Sequence, residues 1–143
     1  MRSVGAWLLA GALLLLGNSA HAGLQLRLKT EGLSPAQQQA SQALIDEAMA
    51  KLPPSFIERL DRRIDVGWTD DMPANAYGQA TLVSELDLNR KLLASLTDGS
   101  AAKEKTNRPH GTVRQELLAT VLHEITHIYD RARLWPSAER TLI

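Results

Sequence analysis

The sequence predicts an α+β fold, one domain in which a small twisted sheet packs on two main helices. Three observations carry that prediction. Two short stretches alternate apolar and polar residues, one helical run begins at Ser34, and a longer amphipathic run begins after Thr112.

The elements follow in chain order. Leu24, Leu26 and Leu28 alternate with Gln25, Arg27 and Lys29, the period of a half-buried strand. Ser34-Pro35 offers a good N-cap followed by a proline at the first helical position. Ala36, Ala40, Ala43, Leu44, Ala48 and Leu52 then recur at helical spacing until Pro53-Pro54, which predicts a helix over 35–51. A shorter helical turn is expected over Ser55 to Leu60. Ile64, Val66 and Trp68 alternate in a second strand that Asp70-Asp71-Met72-Pro73 ends. Gln79 to Asn89, with Ala80, Leu82, Leu86 and Leu88, reads as a strand or a bent hairpin passing into a short helix from Arg90 to Leu96. Residues 97 to 111, with Asp98-Gly99-Ser100 and Asn107-Arg108-Pro109-His110-Gly111, form a polar surface connection. Thr112-Val113-Arg114-Gln115 is a capping box, and it opens a long helix over 113–133.

Composition narrows the function classes. The 143 residues carry sixteen basic and sixteen acidic side chains, and 44% are hydrophobic while 4% are aromatic. A neutral chain with no basic cluster longer than Arg62-Arg63, and with few rings to stack on bases, is not built for nucleic acid. The N-terminus has the form of a secretory signal peptide over 1–22. Met1-Arg2-Ser3 is a short basic start, Ala6 to Leu16 is apolar, and Ala20-His21-Ala22 is the small-x-small pattern of a cleavage site. The apolar run is shorter than the roughly 20 residues that span a bilayer. A mature domain over 23–143 and a periplasmic or secreted location are therefore expected. The chain has no cysteine, which excludes disulfides and thiolate metal sites and suits a bacterial periplasm.

The chemistry concentrates in the last predicted helix. At about 100 degrees per residue, Leu117, Leu118, Val121, Leu122, Ile125, Ile128, Tyr129 and Ala132 fall within an apolar arc of roughly 140 degrees. Glu116, Thr120, His123, Glu124, His127 and Asp130 take the other side. Within it lies His123-Glu124-Ile125-Thr126-His127, an H-E-x-x-H sequence. Histidines four residues apart stand one turn above the other, so both imidazoles can reach one zinc ion. Glu124, on the adjoining flank, is placed to accept a proton from a water that zinc activates, which points to hydrolysis of a peptide bond. The alternative is a solvated helix face that happens to carry these residues.

On His123, Glu124 and His127 the sequence resembles the zincin metallopeptidases. The resemblance implies two histidine ligands, a glutamate base, and a third ligand from further along the chain. It also implies a zincin-like fold, with the motif helix beneath a mixed sheet whose edge strand pairs with an extended substrate. By resemblance, Leu86-Asp87-Leu88-Asn89 is the expected edge strand. The mature chain also resembles the N-terminal part of larger uncharacterised periplasmic proteins of Gram-negative bacteria.

The third ligand separates the subfamilies. The continuation Ile128-Tyr129-Asp130-Arg131-Ala132-Arg133 lacks the glycine and histidine of a metzincin. A gluzincin takes a glutamate from a following helix, and Glu139 in Ser137-Ala138-Glu139-Arg140 is the one glutamate after the motif. Glu139 is the candidate ligand, with a helix-dipole partner as its other reading. Asp130 is the candidate to hold an imidazole N–H, with a surface ion pair to Arg131 or Arg133 as its other reading. Thr141-Leu142-Ile143 stops inside an incipient helix, so a truncated chain with a further ligand after Ile143 is also expected. His110 offers a loop imidazole and Tyr77 a phenol that could face an oxyanion. For Tyr77 and Trp68, packing is the simpler expectation, and the same holds for Trp135. Polypeptide and peptidoglycan stem peptides are equally open as substrates. The rival reading is a non-catalytic periplasmic binding or scaffold domain with a structural or vestigial zinc site.

Overall fold

The computed structural model describes residues 23–81, 84–102 and 111–134. The predicted signal segment, His110, Trp135 and Glu139 lie outside the described residues. Strand β1 (Gln25–Leu28) leads to helix α1 (Pro35–Lys51), a short α2 (Pro54–Arg59) and β2 (Arg63–Thr69). Then come β3 (Gly78–Thr81), β4 (Glu85–Asn89), a 3-10 helix (Arg90–Leu96) and α3 (Val113–Leu134). The fold is α+β, with a mixed four-stranded sheet in the order β1-β2-β4-β3. β1 and β4 flank β2 in parallel, and β3 pairs antiparallel with β4. No helix among the described residues is long and apolar enough to cross a membrane.

Local chemistry explains the helix boundaries. The Ser34 hydroxyl accepts from Gln37 N–H at 3.2 Å, and Gln37 Oε1 accepts from Ser34 N–H at 2.9 Å. This capping box adds to the N-cap and proline expected from sequence. At the other end Pro53-Pro54 withdraws two backbone donors. The short helix expected after β4 is a 3-10 segment capped by the Asn89 side chain.

One face of the sheet is apolar and covered by α1 and α3. Leu44, Ile64, Val66, Leu86, Leu117, Val121, Ile125 and Ile128 are completely buried there. Burying each such side chain is worth about 1.5–3 kcal/mol. Trp68, at the rim of this layer, donates its indole N–H to the hydroxyl of buried Ser41 at 3.1 Å, which ties β2 to α1. The opposite face presents Arg63, Asp65, Glu85 and Asp87. Gly67 leaves room on that face for the Lys29 stem, since a Cβ there would come within 3.2 Å of Lys29 Cδ. Lys29 Nζ thereby reaches Glu85 Oε1 at 3.5 Å.

Leu86–Asn89 is not the edge strand that the resemblance led us to expect. Their alternation is real, but β4 lies inside the sheet between β2 and β3, and Gly78–Thr81 forms the edge. Alternation defines the two faces of a strand. Its neighbours depend on how the chain turns back, and β3 pairs on the outer side of β4.

Asp87 sits on the polar face with its carboxyl held above the ordinary value near 3.8. Burial is the main cause, Glu85 adds to it, and Lys29 opposes it. The folded state thus binds this proton more tightly than the unfolded chain. Its contribution therefore weakens stability as pH rises from about 3.8 through the raised value. Asp87→Asn should raise the urea midpoint at pH 7 and leave it nearly unchanged near pH 3, as followed by circular dichroism.

Candidate functional site

Helix α3 starts where Thr112 and Gln115 exchange hydrogen bonds. Thr112 N–H donates to Gln115 Oε1 at 2.8 Å, and Gln115 N–H donates to Thr112 Oγ1 at 3.2 Å. Val113 N–H bonds to Ser100 O at 2.8 Å, which fixes the helix start to the preceding segment. With its apolar arc in the core, α3 turns His123 and His127 outward.

The two imidazoles converge. His123 Nε2 and His127 Nε2 are 2.9 Å apart, and the rings stand nearly perpendicular at 87°. Two nitrogens bound tetrahedrally at about 2.0 Å to one zinc would be about 3.3 Å apart. The pair thus needs only a small opening to grip a single ion. Among the described residues no third His, Cys, Asp or Glu joins them. Asp130 is exposed and makes no hydrogen bond to either imidazole. Glu139 lies outside the described residues.

Glu124 lies on the side of α3 that faces β3. Its Oε2 accepts from Ala80 N–H at 2.9 Å. The origin of that donor lies in the strand register. Asn89 N–H donates to Tyr77 O at 2.9 Å, and Gly78 faces Leu88. By antiparallel alternation, Gly78 and Ala80 therefore aim their N–H and C=O groups away from β4, along the free edge. Gly78 permits the approach of strand to helix. A Cβ there would lie 2.9 Å from Asp87 O, 2.9 Å from Thr120 Cγ2 and 3.0 Å from Leu88 Cδ2.

An open cavity of about 440 Å³ lies beside the motif, lined by Tyr77, Gly78, Ala119, Thr120, His123 and Glu124. Tyr77 forms part of its wall. Burial, and secondarily the Glu116 carboxylate, raise the Tyr77 phenol above its ordinary value, so it stays protonated as a hydrogen-bond donor at neutral pH. Sequence reading singled out Tyr77 but passed over Ala80, Gly78 and Ala119. Ala80 contributes a backbone donor, which no side-chain pattern announces. The one available signal was the glycine after Tyr77, since a glycine within a strand pattern often marks close backbone approach.

Residues 25–143 match the family described as Domain of unknown function (DUF7844), and the chain belongs to that family. No curated protein and no solved structure matches it.

Gly78→Ala should push β3 away from both α3 and β4, because the new Cβ would meet the Thr120 methyl on α3 and the backbone oxygen of Asp87 on β4, which cannot rotate aside. We expect a loss of about 1–3 kcal/mol in urea unfolding.

Proposed function

We propose that this member of the DUF7844 family is an exported, zinc-dependent peptidase with a zincin-like arrangement of helix and edge strand. The observation that carries the reading is the convergence of His123 and His127 at 2.9 Å, with His123 and Glu124 together lining one open cavity. His123 and His127 would hold the ion, and Glu139 would complete the set. Bound zinc supplies Lewis acidity, which lowers the pKa of a water and polarises a peptide carbonyl.

The chain's own residues supply the rest. Glu124 is held through Oε2 by Ala80 N–H, which leaves Oε1 to accept the proton of the attacking water and pass it to the departing amine nitrogen. The Gly78 N–H and C=O and the Ala80 C=O face outward on β3 and suit an extended peptide that adds as a further strand. The cavity between Tyr77 and Ala119 would receive a substrate side chain. Polypeptides and peptidoglycan stem peptides in the periplasm, or polypeptides outside the cell, both present such a backbone.

A second reading follows from the donor set. Two imidazoles without a third ligand among the described residues also suit a binding or scaffold domain whose metal steadies the fold or a partner contact.

Purified protein equilibrated with zinc and then desalted should retain about one zinc per chain by elemental analysis. His123→Ala and His127→Ala should lose it. Glu124→Gln should keep the metal and cut peptide hydrolysis by about 10²–10⁴-fold. Zinc retention with no hydrolysis in either form would favour the scaffold reading, and absence of zinc in the unmutated chain would sink both.

A further inference from the structure

We infer that Asn89 is a positioning residue of this site, because it holds the loop that delivers β3 and so places Ala80 N–H against Glu124. Asn89 closes β4 and is completely buried. All of its amide is engaged. Nδ2 donates to Pro73 O at 3.1 Å and to Ala76 O at 2.8 Å, and Oδ1 accepts from Lys91 N–H at 3.1 Å. Its own backbone N–H reaches Tyr77 O at 2.9 Å. One residue thus grips the incoming loop at Pro73, Ala76 and Tyr77. Lys91 adds a fourth hold farther back, with Nζ donating to Met72 O at 3.0 Å.

The grip reaches the site through a short, stiff path. Ala76 lies two residues before Gly78, where contacts with Asp87 O and Thr120 Cγ2 leave no room for a Cβ, and Ala80 follows two residues later. A shift of the loop therefore moves the edge strand relative to α3 and lengthens the Ala80–Glu124 bond.

Asn89→Asp separates this role from bulk stability. It keeps the shape and the acceptor for Lys91 N–H, but sets a carboxylate against two carbonyl oxygens in place of two donors. Amide hydrogen exchange and proton shifts of the full-length protein, read by NMR, provide the test, with Glu124→Ala marking the state in which Ala80 N–H has lost its acceptor. We expect the Ala80 amide in Asn89→Asp to exchange about 10-fold faster or more. Its proton should move toward the Glu124→Ala position, while Ile125 and Ile128 in α3 stay within about threefold of the unmutated protein. Asn89→Ser, which keeps only a hydroxyl near Lys91 N–H, should repeat the pattern and replaces Asn89→Asp if that variant does not fold. An unchanged Ala80 amide, or equal acceleration at Ala80, Ile125 and Ile128, would overturn the assignment. So would an Ala80 amide indifferent to Glu124→Ala. Neither readout involves zinc or turnover, so failure of the peptidase reading would leave the result for Asn89 intact.

Discussion

The close approach of β3 to α3 at Gly78 sets the geometry on which the rest of the site depends. Any side chain at that position would meet the Asp87 carbonyl and the Thr120 methyl at 2.9 Å. With glycine there, the strand lies low enough for Ala80 N–H to reach Glu124 at 2.9 Å. The same contact forms one boundary of the cavity, whose lining combines Tyr77 and Gly78 from the strand side with Ala119, Thr120, His123 and Glu124 from the helix. A shift of the strand would therefore change the carboxylate's partner and the shape of the cavity together.

Signals carried by a few neighbouring residues were legible in the sequence. The Ser34-Pro35 start, the stop at Pro53-Pro54 and the Thr112–Gln115 box each appear where expected, because a cap is made by residues within one helical turn. The apolar arc of α3 was equally plain, and Leu117, Val121, Ile125 and Ile128 all reach full burial. Strand order was not. Leu86 and Leu88 show which face of β4 is apolar, yet nothing in their alternation tells an inner strand from an outer one. That depends on β3 returning beside β4 rather than beside β2. Asn89 was hidden for a similar reason. It ends an alternating run like any polar strand residue, and its role emerges only when Pro73 and Ala76 are folded against it.

Helix α3 serves the core and the site at once, through residues that interleave. Ile125 and Ile128 are fixed on the buried side, between and beyond His123 and His127 on the exposed side. The rotation of the helix, and with it the direction of both imidazoles, is thus set by apolar packing that a metal does not have to supply. That arrangement differs from small domains in which metal binding itself provides the folding energy. Under the proposed zinc reading, imidazoles held by packed elements would already be oriented when an ion arrived, and less conformational entropy would be lost on binding.

Glu124 is treated differently from the histidines, and the difference follows from its place on the helix. It stands on the flank toward β3, half-buried, where a carboxylate with no hydrogen-bond donor would be costly. Ala80 N–H meets that need with a backbone group, which cannot rotate away as a side chain can. One oxygen is restrained by the edge strand, which limits how the carboxylate can turn at the wall of the cavity. The constraint runs in both directions. Glu124 also satisfies an amide on the free edge of the sheet, one of the groups through which an exposed edge strand invites unwanted pairing. Replacing Glu124 by an apolar residue would therefore release a donor on β3 as well as remove the carboxylate, and the glutamine variant is the cleaner probe because its side-chain oxygen can still accept from Ala80.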